Sequence, residues 1–283
     1  MSGLDRLTRA YWRAVGRPVD LRGEHAWLDA PVHSGSVVGD GWVDDTAGAW
    51  GGSVERDRPG AGLLADLTVL DGAGFRAADL DPRVRAFYEH TSDWRMEVWT
   101  QWATLFQPGG ELVSRLFGRR VQQLALPTRP LDVAHGMDSS VTLILDHEGR
   151  QRAAAWIRTL CSTGEYVYSG CYDVGRLPGS ATPSVHVAFP LEHGNVQVFL
   201  RPRVLPDGAL ELSSPPGRFG TDGAYVVVRD RRDHTRAHAA RVPIHETFRV
   251  YVDQRGVLRT DHELRLFGAR AVRLHYRLEP TSS

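Results

Sequence analysis

The sequence predicts a mainly β protein. Its second half, from about Ser140 to Leu278, reads as an antiparallel meander closing into a barrel or half-barrel, with a β-sandwich as the alternative. Three observations predict this. Turn signals recur at Glu148-Gly149, Thr163-Gly164, His193-Gly194-Asn195, Asp207-Gly208, Asp222-Gly223, Arg255-Gly256 and Gly268, each between runs rich in Val, Tyr, Phe and Leu. Their spacing allows strands of about 6 to 10 residues, hence about ten strands joined largely by hairpins. A sheet that wide needs closure or a second layer to hide its edges, and no internal repeat points to a propeller.

Ahead of the meander the elements follow in order. Leu4, Leu7, Ala10, Tyr11 and Ala14 recur at helical spacing, and Arg17-Pro18 ends that segment, so a short amphipathic helix is expected. From Leu21 to Gly62 the chain has many Gly, Asp and Pro residues and no sustained period, but it carries Trp27, Trp42 and Trp50. Tryptophans in so long a loop argue that it packs, either as a wrap around the barrel or as a cover over a pocket mouth. Asp81-Pro82 supplies an N-cap and an N1 proline for a helix over Arg83 to His90. Trp94, Met96 and Val98 then alternate with Arg95, Glu97 and Trp99 as a first strand. Gly109-Gly110 opens a second helix carrying Leu112, Val113, Leu116, Phe117 and Val121. The organisation is therefore an N-terminal helix and wrapping segment over 1–80, followed by a β-barrel-like domain over 81–283 with two helices before the main meander.

Composition excludes whole classes of function. Acidic and basic residues balance at 34 each, so no global field points to nucleic acid or to an anionic membrane. All 34 basic residues are Arg. Without lysine there is no Schiff-base nucleophile, no pyridoxal-phosphate enzyme of the usual kind and no G-x-x-x-x-G-K-[ST] loop. Cys161 and Cys171 flank the Thr163-Gly164 turn, with a register that sets Cys161 near Tyr166 and Cys171 near Trp156, so they are not expected to pair. With no disulfide framework and no apolar core of a signal peptide, the expected compartment is the cytoplasm. Apolar runs such as Val141 to Leu145 are far shorter than a membrane span.

Motifs of established chemistry do not occur. His234 and His238 stand four apart in an Arg-rich turn, and neither H-E-x-x-H nor C-x-x-C is present, so no metal site is expected. Neither a G-x-S-x-G elbow nor a G-x-G-x-x-G in a βαβ setting occurs, and no cofactor is expected.

Several short words carry a resemblance. Phe87-Tyr88-Glu89-His90-Thr91, the Trp102 to Pro108 stretch, Trp156-Ile157-Arg158, Val187-Ala188-Phe189-Pro190-Leu191 and Glu246-Thr247-Phe248 are similar to the soluble C-terminal region of YndJ-like proteins. They also resemble a group of stand-alone actinobacterial proteins. The likeness covers roughly residues 82 to 278 and implies a domain boundary. It brings no activity to any position, and this chain lacks the membrane part of the YndJ-like proteins.

The last strands allow a register argument, because a slip of one residue turns every side chain over. Matching apolar faces across a Gly268-Ala269-Arg270 loop pairs Leu266 with Val272, Leu264 with Leu274 and His262 with Tyr276. On the opposite face the same register sets Glu263 against His275 and Asp261 against Arg277. Across the Gln254-Arg255-Gly256 loop, Phe248 falls beside His262 and Glu246 beside Leu264. Glu246, His262 and Tyr276 thereby become neighbours on an apolar face, where a carboxylate beside an imidazole can be tuned for general acid and base work. Trp94, Trp99, Trp102, Tyr166, Tyr168 and Tyr172 form aromatic stripes that line a ligand cavity or fill a core. Trp99, Trp102, Tyr168 and Phe248 are the expected ligand contacts.

The leading functional expectation is a β-barrel that binds a small, largely apolar molecule inside. A second is a cofactor-free cyclase or isomerase in which Glu246, His262 and Tyr276 steer a proton. A third is a protein-interaction or structural domain whose barrel is filled with side chains. The sequence leaves the oligomeric state open.

Overall fold

The computed structural model describes residues 3–33, 35, 39–102 and 136–281. The helix expected over Leu112 to Val121 lies outside the described residues. The protein is mainly β: among the described residues it has one 14-stranded antiparallel sheet and three α-helices.

Helix α1 (Gly3–Val15) leads directly into β1 (Arg17–Asp20), which pairs with β11 (Arg236–Val242) where the sequence suggested only the end of a helix. The stretch read as aperiodic holds helix α2 (Trp42–Ala49) and strand β2 (Ser53–Glu55). Helix α3 (Pro82–Glu89) starts where the sequence placed it, with the Asp81 carboxylate accepting from Arg83 N at 2.8 Å. Strand β3 (Trp94–Trp102) follows.

The meander runs through β4 (Met137–Leu145), β5 (Gln151–Leu160), β6 (Tyr166–Gly175), β7 (Ser184–Leu191), β8 (Gly194–Val204) and β9 (Leu210–Ser213). It continues through β10 (Gly223–Arg229), β11, β12 (Ile244–Val252), β13 (Leu258–Leu266) and β14 (Ala269–Pro280). Order in the sheet is β2-β4-β5-β6-β7-β8-β9-β12-β13-β14-β3. Strand β8 makes a fork: Gly194 to Phe199 pair with β10, whereas Arg201 to Val204 pair with β9. Strands β10, β11 and β1 form the side branch. The sheet curls, but among the described residues no hydrogen-bonded ladder joins β3 to β4. The expected antiparallel meander is therefore present, as a large sheet that hydrogen bonds do not close into a barrel.

Both faces of β4 to β8 are covered. On the convex face, Trp42, Val43 and Ala47 of α2 pack on Ile144, Ala153, Ala155, Ile157, Cys171 and Ala188. Trp27 packs edge-on against Phe199, Phe219 and Tyr225, and Arg152 stacks over Trp50 at 4.0 Å. The tryptophans of residues 21–62 thus pack on the outside of the sheet. On the concave face, Leu63, Leu67, Leu70, Phe75, Val84 and Phe87 join the interior residues of the strands in one core. A fully buried side chain of this size contributes about 1.5–3 kcal/mol, which makes residues 61–88 an integral part of the fold. They sit at one end of the concavity, where Asp81 N donates to Gly208 O, Arg83 to Gly256 O, and Gln151 Nε2 to Gly62 O at 3.0 Å. Gly62 is required there: a Cβ would run into the Tyr88 and Glu89 carbonyls at the end of α3.

Two registers differ from expectation. In the β13–β14 hairpin the turn is the two residues Phe267-Gly268, both at positive φ, and a bulge follows at Leu264/Arg265. Leu264 consequently pairs with Val272, His262 with Leu274 and Thr260 with Tyr276. The displacement is two residues, so every side chain keeps its expected face. The charge pairs become Asp261 with His275, 2.8 Å apart, and Glu263 with Arg273. In the β5–β6 hairpin a bulge at Arg158/Thr159 sets Cys171 opposite Ala155 and Tyr166 opposite Thr159. Cys171 is buried and Cys161 exposed, and both are free thiols.

No helix among the described residues is long and apolar enough to cross a membrane.

Candidate functional site

A polar cluster occupies the concave face, where its Trp156 ring meets Phe87 of α3 edge-on. Strands β5 and β6 supply one wall: Trp156 and Arg158 alternate with the outward Ala155 and Ile157, while Tyr168 and Tyr172 alternate with the outward Ser169 and Cys171. Strands β12, β13 and β14 supply the other wall, with Glu246, Phe248, His262 and Tyr276 on the inward parity. The walls meet where the Arg158 guanidinium carbon lies 5.6 Å from the Tyr276 ring centroid. Tyr168, Glu246, Phe248 and Leu264 are partly exposed, whereas Arg158, Trp156, His262 and Tyr276 are buried, so the cluster deepens inward from one end of the concavity.

Arg158 is the central group and is only 8% exposed. Its guanidinium lies 3.8 Å from the Trp156 ring and 4.7 Å from that of Tyr168. Rings at this range offset part of the cost of burying the charge. Its Nε is buried without a hydrogen-bond partner, and among the described residues Arg158 makes no salt bridge. Trp156 is fixed by an Nε1–H bond to Ser139 Oγ at 2.8 Å, and its ring meets Tyr168 and Tyr172 edge-on. The hydroxyls of Tyr168 and Tyr172 are 2.6 Å apart, so one donates to the other.

Burial pushes the Tyr168, Tyr172 and Tyr276 hydroxyls above the usual tyrosine range. Arg158 draws each of them back down, and the Glu246 carboxylate pushes Tyr168 and Tyr276 further up.

His262, 8% exposed, stacks on Phe248 with centroids 3.8 Å apart and planes at 16°. Its Nε2 stands 3.6 Å from Glu246 Oε1, beyond hydrogen-bond reach, and both ring nitrogens are buried without a partner. A neutral imidazole has one donor and one acceptor to satisfy, and here neither is met.

Of the residues expected at the site, Glu246, Phe248, His262, Tyr168 and Tyr276 are brought together. Trp99 is not. Period two puts it opposite the buried Met96 and Val98, on the outer face, where it is 51% exposed beside His275. Trp102 is the last residue of β3 and pairs with Val272; its side chain lies outside the described residues. Arg158 was not singled out as a site residue, although a charged residue on the inward parity of the strand carrying Ala154 and Trp156 was a legible sign. His234 and His238 fall in the turn before β11 and in β11, and among the described residues no three ligating side chains gather into a metal site.

Compared with known proteins, the chain matches no family model, no curated protein and no solved structure.

Proposed function

We propose that the polar end of the concave face binds a small, largely apolar molecule. The observation that carries the reading is the unmet hydrogen bonding of His262 Nδ1, His262 Nε2 and Arg158 Nε, all buried. Buried polar atoms in a finished protein core are almost always partnered, and groups left open at a cluster of aromatic rings are of the kind a ligand completes. Trp156, Tyr168 and Phe248 supply the apolar contacts, and Arg158, His262 and Tyr276 the orienting polar ones. The reading includes an approach of β3 to β4 that encloses the concavity as a barrel would. It also keeps the likeness to the YndJ-like region as a statement about the domain alone.

Native mass spectrometry of the protein from its own host, compared with a denatured sample, tests this. A stoichiometric small molecule released on denaturation is expected. Its reproducible absence would overturn the reading and favour a filled interior with a role in protein contacts.

A second reading is favoured by the Glu246–His262 separation of 3.6 Å. A small rotation would close that contact, letting Glu246 orient His262 as a proton shuttle, with Tyr276 as donor, in a cofactor-free isomerase or cyclase. Under this reading His262→Ala abolishes turnover of the identified molecule while binding persists. Unchanged turnover in that variant sinks it.

A further inference from the structure

We infer that the molecule received by the concave face carries a carboxylate, held by Arg158. The inference rests on the ligand-binding reading above and adds the chemical class of the ligand's polar end.

The argument begins with charge. Arg158 is buried, permanently protonated and without a salt bridge among the described residues. A buried cation is costly unless it is paired, and aromatic rings alone supply no hydrogen-bond acceptor for an in-plane N–H such as Nε. Arg229, a partly buried cation, shows the usual solution for the charge, donating to Asp29 Oδ1 at 2.6 Å and to Ala30 O at 2.8 Å, while its Nε too is buried without a partner.

The second argument is the balance of donors and acceptors. Around Arg158 stand the hydroxyls of Tyr168, Tyr172 and Tyr276, each kept protonated by burial. Because Tyr168 and Tyr172 hydrogen-bond to each other, one of their two hydrogens is left over. Guanidinium and phenols together give a surplus of donors, and Glu246, the carboxylate in the cluster, forms no salt bridge with Arg158 and stands 3.6 Å from His262 Nε2. What Arg158 lacks is a bound acceptor with two oxygens in a plane. The guanidinium fork donates to such a group bidentately, and a neutral carbonyl or hydroxyl would leave the charge unmatched. The rings of Trp156, Tyr168 and Phe248 then fit an apolar body attached to it, so an aliphatic or aromatic carboxylic acid is the class implied.

The test compares acids with their own methyl esters. Decanoate and naphthalene-2-carboxylate, with their methyl esters, are titrated into the purified, ligand-stripped protein by calorimetry, alongside Arg158→Met and Arg158→Gln. Both variants are expected to fold with unchanged near-ultraviolet circular dichroism, because they remove an unpaired buried charge. In the natural sequence the acids should bind about tenfold or more tightly than the esters, as a charge-assisted contact implies. In either folded variant the preference should vanish. A co-purifying acid that is lost from both variants gives the same support.

Equal binding of acid and ester, or a preference that survives in a folded variant, overturns the inference while leaving the ligand-binding reading standing. So does a co-purifying neutral molecule retained by the variants. No co-purifying molecule and no binding of any probe overturns both.

Discussion

The protein buries two histidines in the same way and treats them oppositely. On the convex face His186 stacks on Phe199, centroids 4.3 Å apart and planes at 13°; on the concave face His262 stacks on Phe248 with nearly the same geometry. Each has a carboxylate at hand. His186 Nδ1 stands 2.5 Å from Asp173 Oδ1 and its Nε2 3.0 Å from Gln197 Oε1, each within hydrogen-bond reach. Gln197 passes the network on to Leu28 O and Asn195 Oδ1, and Asn195 to Ala30 O and Pro31 O. That chain ends on the backbone of the N-terminal wrap, with both ring nitrogens satisfied, and its work is to fasten the wrap to the sheet. The His262 set stops short, its nearest carboxylate oxygen 3.6 Å away. One cluster is complete within the molecule; the other leaves both His262 ring nitrogens unmet.

The contrast is sharpest in its energetics. Replacing His186 by Leu strands Gln197 Oε1 and deprives Asp173 of its partner, at a cost of about 3 kcal/mol, read from urea unfolding. Replacing His262 by Leu removes two unmet polar atoms and is expected to be neutral or to stabilise by up to about 1 kcal/mol, while weakening any interior ligand. If both variants lost the same stability, the distinction between a fastening network and a receiving one would collapse.

A third expectation concerns the concave core as a whole. Burial raises Tyr88, Tyr168, Tyr172 and Tyr276 above the tyrosine value of 10.0. A group with a raised folded value gives its full contribution below the unfolded value and loses it as pH climbs towards the folded one, so stability should fall above about pH 10. Absorbance at 295 nm should show these four ionising only together with unfolding. Their titration in the folded state would mean that the interior is wet.

The smallest effect lies at the exposed β12–β13 turn. Asp253 accepts from Arg259 Nε at 2.7 Å and from Arg255 N and Val257 N at 2.9 Å. The Arg259 bond first, and the backbone bonds after it, hold the carboxyl down at about 2. A depressed value stabilises above the unfolded carboxylate range and is lost as pH falls through about 2, so Asp253→Asn should lower stability slightly at neutral pH and not at about pH 2, flattening the acid limb. A change at neutral pH comparable with that of His186→Leu would show the turn to be more than local.

Much of the fold was legible because period two and turn glycines are local signals. The meander, the β3 strand and the Asp81-Pro82 helix start follow from them directly. So does the grouping of Glu246, Phe248, His262 and Tyr276 on one face, since even a two-residue register error preserves parity. What escaped was non-local. The Leu264/Arg265 bulge is set by strain and packing across the hairpin, and nothing in the flanking residues announces it. The fork of β8 depends on β9 and β10 competing for one strand, a choice made by tertiary packing. Arg158 was visible as an inward charge, but its want of a partner is a property of the walls assembled around it.

The ladder that pairs β3 with β14 joins Trp94 to Pro280 and Trp102 to Val272. During synthesis this has a temporal meaning: β3 emerges long before its neighbour and must wait for almost the whole meander to be translated. Contacts of such sequence separation form late and slowly. Tyr276 rides on that last strand, so the Arg158–His262 cluster is the final part of the molecule to exist, and a nascent chain halted before Ala269 should fasten its wrap through His186 yet offer no finished interior. Limited proteolysis of stalled chains, with residues 17–60 protected and 61–102 cleaved, is the expected pattern.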